Sequence, residues 1–562
     1  MTPTRFSLWM LGAMVCLPFL VPIHVAPIGT FYSEWLACAL GLAATPVLFS
    51  RHQPAFWPAV GYLPLLLVGV LLAQTLSGLL PYAETGLLAM LYLIWAALVM
   101  IVASTLKERL GLAAVAEHLA IWILAGAVVN ALVGFMAHSG IHSVWIMPDK
   151  EHSLFGNLAQ RNHFGHQLWL GILSGLFLSA RNRLPRYLLL LLLCVLLPAA
   201  ALSVSRAAML YAIWMAGISH YFGGLGGFRR CRIVAIAYLA CAILLPLVPS
   251  WEDTAPTIRM TDEASSFGGV RPALFLIGWE MFLQSPWLGN GFGSFARESF
   301  NLAASQPDWI GKGEHAHNLV AQLLGELGIF AGLGTAIAFF AWARHALKAR
   351  LEPETGWLVG IAGIVLIHSL VEYPLWYSYF LGVFAVMLAL GEVKPRPLRL
   401  GPLAIIGPVV MGAAICGLLL RDYLLLQTLG GPVRGRVSDL VATIQRRSDT
   451  MLELRKGSLL KPYVDSAFLT LMMPASSGLQ SKATLCRINL AFQPTAPAVF
   501  SCALIYRLAG ADRDAERLWT SANRAFPELA KGYVDTIEPL LDEDDLRTLR
   551  PLLSPVNARE SP

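Results

Sequence analysis

Residues 86 to 104 read Gly-Leu-Leu-Ala-Met-Leu-Tyr-Leu-Ile-Trp-Ala-Ala-Leu-Val-Met-Ile-Val-Ala-Ser, a run without one charged side chain. A helix of that length crosses the roughly 30 Å of hydrocarbon in a bilayer. Glu84 precedes the run and Lys107 and Arg109 follow it, so charge marks both ends. Comparable runs lie near 7 to 23, 31 to 49, 57 to 76, 118 to 137, 164 to 180, 187 to 204, 207 to 222, 232 to 249, 317 to 342, 356 to 371, 375 to 392 and 402 to 420. Composition agrees: of 562 residues 56% are hydrophobic and 14% charged, and the mean hydropathy is +0.61. The chain reads as an all-α polytopic membrane protein with about 13 transmembrane helices. Arg5 ahead of the first run has the look of a signal peptide, but no small-x-small cleavage site follows, so this run reads as the first span.

Basic residues flanking short loops set the orientation, because they are retained on the cytoplasmic side. Alternate loops carry Arg51, then Lys107 and Arg109, then Arg181, Arg183 and Arg186, then Arg229, Arg230 and Arg232, then Arg344, Lys348 and Arg350, then Lys394, Arg396 and Arg399. The intervening loops carry little beyond Lys150, Arg161 and Arg206. The expected division is therefore 1–250, a membrane region of about nine spans; 251–316, a large periplasmic loop; 317–420, about four further spans; and 421–562, a periplasmic helical tail. The expected location is a bacterial inner membrane, with the spans facing membrane lipids. The net charge of +6 describes this topology and indicates no nucleic-acid partner.

The loop is the candidate functional element, since a connection of that length in a compact protein is usually functional. Arg271 to Phe282 is apolar but too short to span, and reads as a helix on the membrane surface or over a cavity. Ser285 to Gly293 carries three glycines without a preceding strand, which excludes a dinucleotide loop and points to a tight turn. The loop closes on Glu314-His315-Ala316-His317-Asn318, whose histidines at i and i+2 do not share a helix face. Elsewhere, Gly156 to His163 crowds Asn157, Gln160, Arg161, Asn162 and His163 against a membrane boundary. Such groups can bind hydroxyls and phosphates, or simply cap the following span with Asn162 at the N-cap. Arg206, next to Ser205, opposes the positive-inside bias, which an anionic ligand explains more sharply than snorkelling does. Glu372 and Tyr373 fall at a helix break before Pro374. His24 to Glu34 forms a tight turn between the first two spans, with Glu34 stabilised at a helix start.

Cys502 to Pro527 in the tail suits one tetratricopeptide-type pair and a generic helical hairpin equally. Cys486 and Cys502 are either disulfide-bonded or two buried thiols on packed helices, and no cysteine spacing suits a metal.

This series of motifs, taken in order, resembles the O-antigen ligase and polymerase superfamily, and most closely its PglL-type protein O-oligosaccharyltransferases. His24 to Glu34, Glu372-Tyr373-Pro374-Leu375-Trp376 and the helical tail favour that branch. The resemblance implies en bloc transfer of an oligosaccharide from undecaprenyl pyrophosphate to Ser or Thr hydroxyls of periplasmic proteins such as pilins, with no cofactor or metal. It places the essential histidine at His317, the glutamine at Gln160, the tyrosine at Tyr373 and pyrophosphate-binding arginines at Arg206 and Arg271. Arg161 stands where the family usually has proline and adds a third phosphate contact. Asn157, His163, His315, Asn318 and Glu372 complete the expected substrate-binding or orienting set. The residue types suit the chemistry: arginine neutralises a leaving pyrophosphate and never deprotonates, and an imidazole can accept a hydroxyl proton. Glu314 and Glu372 are both candidates to orient that imidazole. O-antigen ligation or repeat polymerisation would use the same donor. A non-enzymatic transporter of the lipid-linked glycan would instead place its polar residues at the midplane of broken helices.

Overall fold

The computed structural model describes residues 2–49, 53–148, 154–225, 227–248, 270–305, 313–348, 352–399, 401–429, 437–471, 478–538, 541 and 544–553. Arg51, Lys150, Arg350 and the opening of the long loop, 251–269, lie outside the described residues. The first membrane region comprises α1 (Pro3–Met14), α2 (Phe31–Ala43), α3 (Tyr62–Leu76), α4 (Ala83–Leu110), α5 (Leu112–His138), α6 (Arg161–Ala180), α7 (Arg186–Leu202), α8 (Arg206–Phe222) and α9 (Arg230–Leu244). The long connection contributes α10 (Val270–Gln284) and α11 (Phe295–Ser305), followed by α12 (Leu319–Lys348), α13 (Pro353–Ser369), α14 (Ser378–Gly391) and α15 (Pro402–Leu429). The tail adds α16 (Val437–Gly457), α17 (Lys461–Leu471), α18 (Leu479–Phe492), α19 (Ala496–Leu508), α20 (Asp512–Ala525) and α21 (Pro527–Ile537).

The chain is thus a helical, multi-pass membrane protein. Among the described residues, eight segments are long and apolar enough to cross a membrane: Pro3–Leu20, Phe31–Phe49, Ala59–Leu76, Ala83–Leu110, Leu112–His138, Arg230–Leu247, Leu319–Lys348 and Ala404–Leu429. The other expected runs form helices α6, α7, α8, α13 and α14. Of these, α6 and α13 are buried along most of their length, which lets them carry polar side chains that lipid would not tolerate. One short ribbon breaks the all-helical pattern, Ala55–Trp57 antiparallel to Arg396–Leu398 with Phe56 opposite Pro397. At the same end Arg109 donates to the Gln53 carbonyl, and Arg181 lies 3.0 Å from Glu117 and 3.2 Å from Glu354. The basic loops that carry Arg109, Arg181 and Arg396 therefore lie at one end of the bundle.

The Ser285 to Gly293 turn is a docking element. α12 breaks at Gly328, whose φ of 76° frees backbone groups inside an otherwise continuous helix. The turn satisfies them: the amides of Asn290 and Gly291 donate to the Gly325 and Glu326 carbonyls at 3.0 and 3.2 Å, and Ile329 donates to the Pro286 carbonyl at 2.8 Å. Gln74 fastens the junction from α3, donating to the Leu288 and Glu326 carbonyls at 2.5 and 2.7 Å. A β-carbon on Gly328 would lie 2.2 Å from the Trp287 carbonyl oxygen, and φ is positive as well. Gly328→Ala is therefore expected to cost roughly 3 kcal/mol or more, read as a fall in the thermal midpoint of the detergent-solubilised protein.

Helix α10, expected on the membrane surface or over a cavity, packs closely against α12. Gly278 meets α12 backbone to backbone, with its would-be β-carbon 2.9 Å from the Ala321 carbonyl oxygen, and Gly325 approaches Gly278 as closely. Small residues on both helices permit this crossing. At the far end of the chain, α15 continues through residue 420 to Leu429, because Tyr423, Leu426 and Leu429 are buried beyond the apolar run. The tail packs against the loop: Phe300 of α11 stacks on Phe526, and Arg524 donates to the Ala304 carbonyl at 3.3 Å. Cys486 and Cys502 are joined in a disulfide linking α18 to α19, the first of the two alternatives.

Candidate active site

Side chains from three separated segments, Asn162, Arg271 and His317, converge on the buried carboxylate of Glu372, which is 3% exposed. Pro374 ends the helical course after α13 and leaves Glu372 in the turn that follows. One carboxylate oxygen, Oε2, lies 2.8 Å from His317 Nδ1. The approach is close without meeting hydrogen-bond geometry, and it is a charged pair only when the imidazole carries a second proton. The other, Oε1, accepts from Asn162 Nδ2 at 2.7 Å and from Arg271 Nη2. Burial pushes the Glu372 carboxyl up, but the His317 ring and the Arg271 guanidinium outweigh it and hold it below the ordinary carboxylate value. The His317 side chain is a quarter exposed, and Nε2 is the ring nitrogen that does not face Glu372.

The loop that delivers these residues is locally strained. Of the four non-glycine residues with positive φ among the described residues, Ala159, Val204 and His317 sit in or directly before site segments, at 55°, 53° and 49°; the fourth is Asn182. Strain of this kind persists where surrounding contacts over-determine the backbone, and it clusters at functional sites. For His317 those contacts are Asn318, whose Oδ1 caps α12 by accepting from Val320 and Ala321 at 3.0 and 3.1 Å, and Gln322, whose Oε1 accepts from the Ala316 amide.

Aromatic rings form one wall. Tyr373 lies against His315 with centroids 4.2 Å apart and meets His317 edge-on at 5.0 Å. Burial raises the Tyr373 hydroxyl, which keeps it a neutral donor at physiological pH. Burial, reinforced by the charge of His317, lowers the His315 imidazole to about 3. In the unfolded chain a histidine titrates near 6.5. His315 therefore supports the fold fully above that value, and this support is lost as pH falls from about 6.5 towards 3. His315→Phe is expected to flatten the decline in thermal midpoint between pH 7 and pH 4, measured on the purified protein.

The other expected residues take distinct places. Arg271 is engaged by Glu372 yet a third exposed. Arg206 and Arg161 stand at the first positions of α8 and α6, both partly exposed. His163 is buried among Tyr377, Phe380 and His368, with ring centroids at 5.0, 5.0 and 5.7 Å. Gln160 is the N-cap of α6, accepting from the His163 amide at 2.6 Å, so the capping alternative for this segment holds with Gln160 in the place of Asn162. Asn157 latches the wall: it donates to the carbonyls of Leu20 and Trp145 and accepts from the Met147 amide, while His24 contacts its carbonyl at 2.7 Å. Asn318 Nδ2 donates to the Leu370 carbonyl at 3.0 Å. The side-chain oxygen of Gln160 and both polar side-chain atoms of Asn157 and Asn318 are thus engaged in holding backbone. Glu372, and not Glu314, touches the His317 ring; Glu314 accepts a hydrogen bond from Gln493 of the tail. Asn162 and Ser205, absent from the expected set, belong to the site, and no sequence spacing connects them to Glu372.

Comparison with known proteins bears on the family. Residues 188–336 match the O-antigen ligase family, a stretch containing Arg206, Arg271 and His317. Residues 356–536 match the C-terminal region of the virulence factor membrane-bound polymerases, a stretch containing Glu372, Tyr373 and most tail helices. These matches make the chain similar to the O-antigen ligases over one stretch and to the membrane-bound polymerases over the other. The chain is also similar to the PglL-type enzymes: a general O-oligosaccharyltransferase from Acinetobacter baylyi (strain ATCC 33305 / BD413 / ADP1) is 26% identical over 444 residues, covering 75% of this chain and 76% of the relative.

Proposed function

We propose that the chain is an oligosaccharyltransferase that moves a preassembled oligosaccharide from undecaprenyl pyrophosphate to a Ser or Thr hydroxyl of periplasmic proteins such as pilins. The observation that carries this reading is the placement of His317 and Arg271 on the two oxygens of one buried carboxylate. The acceptor oxygen attacks the anomeric carbon of the sugar, and the bond from that carbon to the pyrophosphate oxygen breaks. The hydroxyl proton passes to His317 Nε2, the ring nitrogen turned away from Glu372, and undecaprenyl pyrophosphate leaves. Glu372 orients the imidazole and favours its protonated form as the bond forms. Arg206, Arg271 and Arg161 neutralise the charge that builds on the leaving pyrophosphate, with guanidinium geometry suited to phosphate oxygens. Tyr373 donates to the donor or the leaving group. The polyprenyl chain lies along the apolar spans of an approximately thirteen-span inner-membrane bundle, with the site on its periplasmic face.

The similarity to polymerases over residues 356–536 favours a second reading, in which the same site transfers the glycan to another glycan. Co-expression with a lipid-linked glycan pathway and a pilin in a host lacking its own ligase separates the two. The first reading expects glycan on periplasmic protein. Lipopolysaccharide extended or ligated, with all protein unmodified, would establish the second.

A further inference from the structure

Ser205 is 1% exposed and stands at the N-cap of α8, the position where a serine hydroxyl ordinarily accepts from its own helix's amides. It makes no such cap. Its hydroxyl instead donates to Asn162 Oδ1 at 2.9 Å, and the Asn162 amide donates to Glu372 Oε1 at 2.7 Å. The direction of this chain is fixed at both ends. A carboxylate only accepts, so Asn162 must turn Nδ2 towards Glu372, and that leaves Oδ1 for a donor, which Ser205 supplies. Packing brings the partners together: a β-carbon at Gly165 would lie 3.2 Å from both Ser203 Oγ and Ser205 Cβ, and Val204, a β-branched residue, holds φ at 53° between those serines.

We propose that Asn162, locked by Ser205, is a positioning residue for transfer, which sets the Glu372 carboxylate so that Oε2 faces His317 and ties the Arg206-bearing start of α8 to that carboxylate. The inference rests on the assignment of His317 as the base. Asn162 does not touch the donor. It acts on the acceptor-deprotonation step through Glu372, so its loss slows turnover and leaves donor binding to the arginines.

The test uses the full-length protein in lipid nanodiscs with an undecaprenyl pyrophosphate-linked oligosaccharide and the protein acceptor on which wild type is active. Asn162→Ala is expected to lower kcat about 10- to 100-fold, the range for partners that orient a catalytic group, with donor KM within about threefold of wild type. Asn162→Asp keeps the shape and removes the donor, and is expected to fall as far. Ser205→Ala is expected to lose about three- to tenfold, and the double variant Asn162→Ala/Ser205→Ala to match Asn162→Ala within about twofold, because the two act as one unit. An unchanged melting transition in each variant shows that folding is intact; Ser205→Ala and Asn162→Asp carry the test should Asn162→Ala not fold. Full activity of Asn162→Asp, a rise in donor KM without loss of kcat, or additive losses in the double variant would overturn the inference. His317→Ala separates this from failure of the underlying reading: if it transfers at the wild-type rate, the assignment of the base fails, whatever Asn162 does.

Discussion

His317→Ala is expected to lower the rate of glycan transfer about 1,000-fold, within the range for loss of a general base, while the protein folds and inserts normally. The side chain is a quarter exposed and stands at the end of a loop, so its truncation opens little core. The loss should appear in kcat, since proton acceptance occurs only as the acceptor oxygen attacks. His317→Gln tests the alternative that the ring merely hydrogen-bonds the hydroxyl: glutamine can accept a hydrogen bond but cannot hold the proton, and it is expected to be as inactive. His315→Ala, two residues away, should retain more activity, because His315 stays neutral and packs against Tyr373. Initial rates in nanodiscs check all three.

Glu372→Gln is expected to lower kcat about 100-fold and to reduce stability. The carboxylate serves three groups at once, and a neutral amide cannot replace it: one oxygen is exchanged for a donor that would face His317, Arg271 or Asn162. A buried charge network with one partner removed costs more than the network contributed, because the remaining charge has no compensation. Arg271 is left to water, and the imidazole is free to rotate. The effect should be strongly non-additive with His317→Ala, since Glu372 acts through that ring: the double variant should resemble His317→Ala alone. Independent, multiplying losses would show that Glu372 has a separate role. Acidification should mimic the substitution. A carboxyl held below its ordinary value supports the fold fully above the unfolded value of about 4.3 and loses that support as pH falls through the folded one.

Much of this architecture is written in hydropathy. Runs such as 86–104 become Ala83–Leu110, and the 317–342 run becomes Leu319–Lys348, because uncharged stretches of that length have few alternatives in lipid. What hydropathy does not carry is the break at Gly328, where helical periodicity continues through a residue with φ of 76°. The cause lies about 40 residues earlier, in the turn around Gly289, whose backbone enters the break. The end of α15 escaped for a related reason: Arg421 and Asp422 signal the end of an apolar run, while Tyr423 and Leu426 keep the helix packed.

The site was legible by residue type and illegible by connection. His317, Arg271 and Tyr373 stand out as polar groups at membrane boundaries, and they do gather. The choice between Glu314 and Glu372 needed three dimensions, since Glu314 is three residues from His317 and Glu372 is 55 residues away. Asn162 reads as a cap because most asparagines before a helix are caps; the structure gives that position to Gln160 and turns Asn162 towards Glu372. Conversely, Asn157 looks like a ligand for hydroxyls and is spent on backbone amides and carbonyls. Side-chain type reports what a residue can bind, and only packing decides what it meets.

The central claim, en bloc transfer to a protein hydroxyl, is tested most directly by stoichiometry. The purified protein in nanodiscs is given an undecaprenyl pyrophosphate-linked oligosaccharide and a pilin, and both products are measured by mass spectrometry. The account predicts one undecaprenyl pyrophosphate released for each complete oligosaccharide found on a Ser or Thr of the pilin, and neither product with His317→Ala. Pyrophosphate-lipid release accompanied only by longer lipid-linked glycans, with the pilin unmodified, would contradict it.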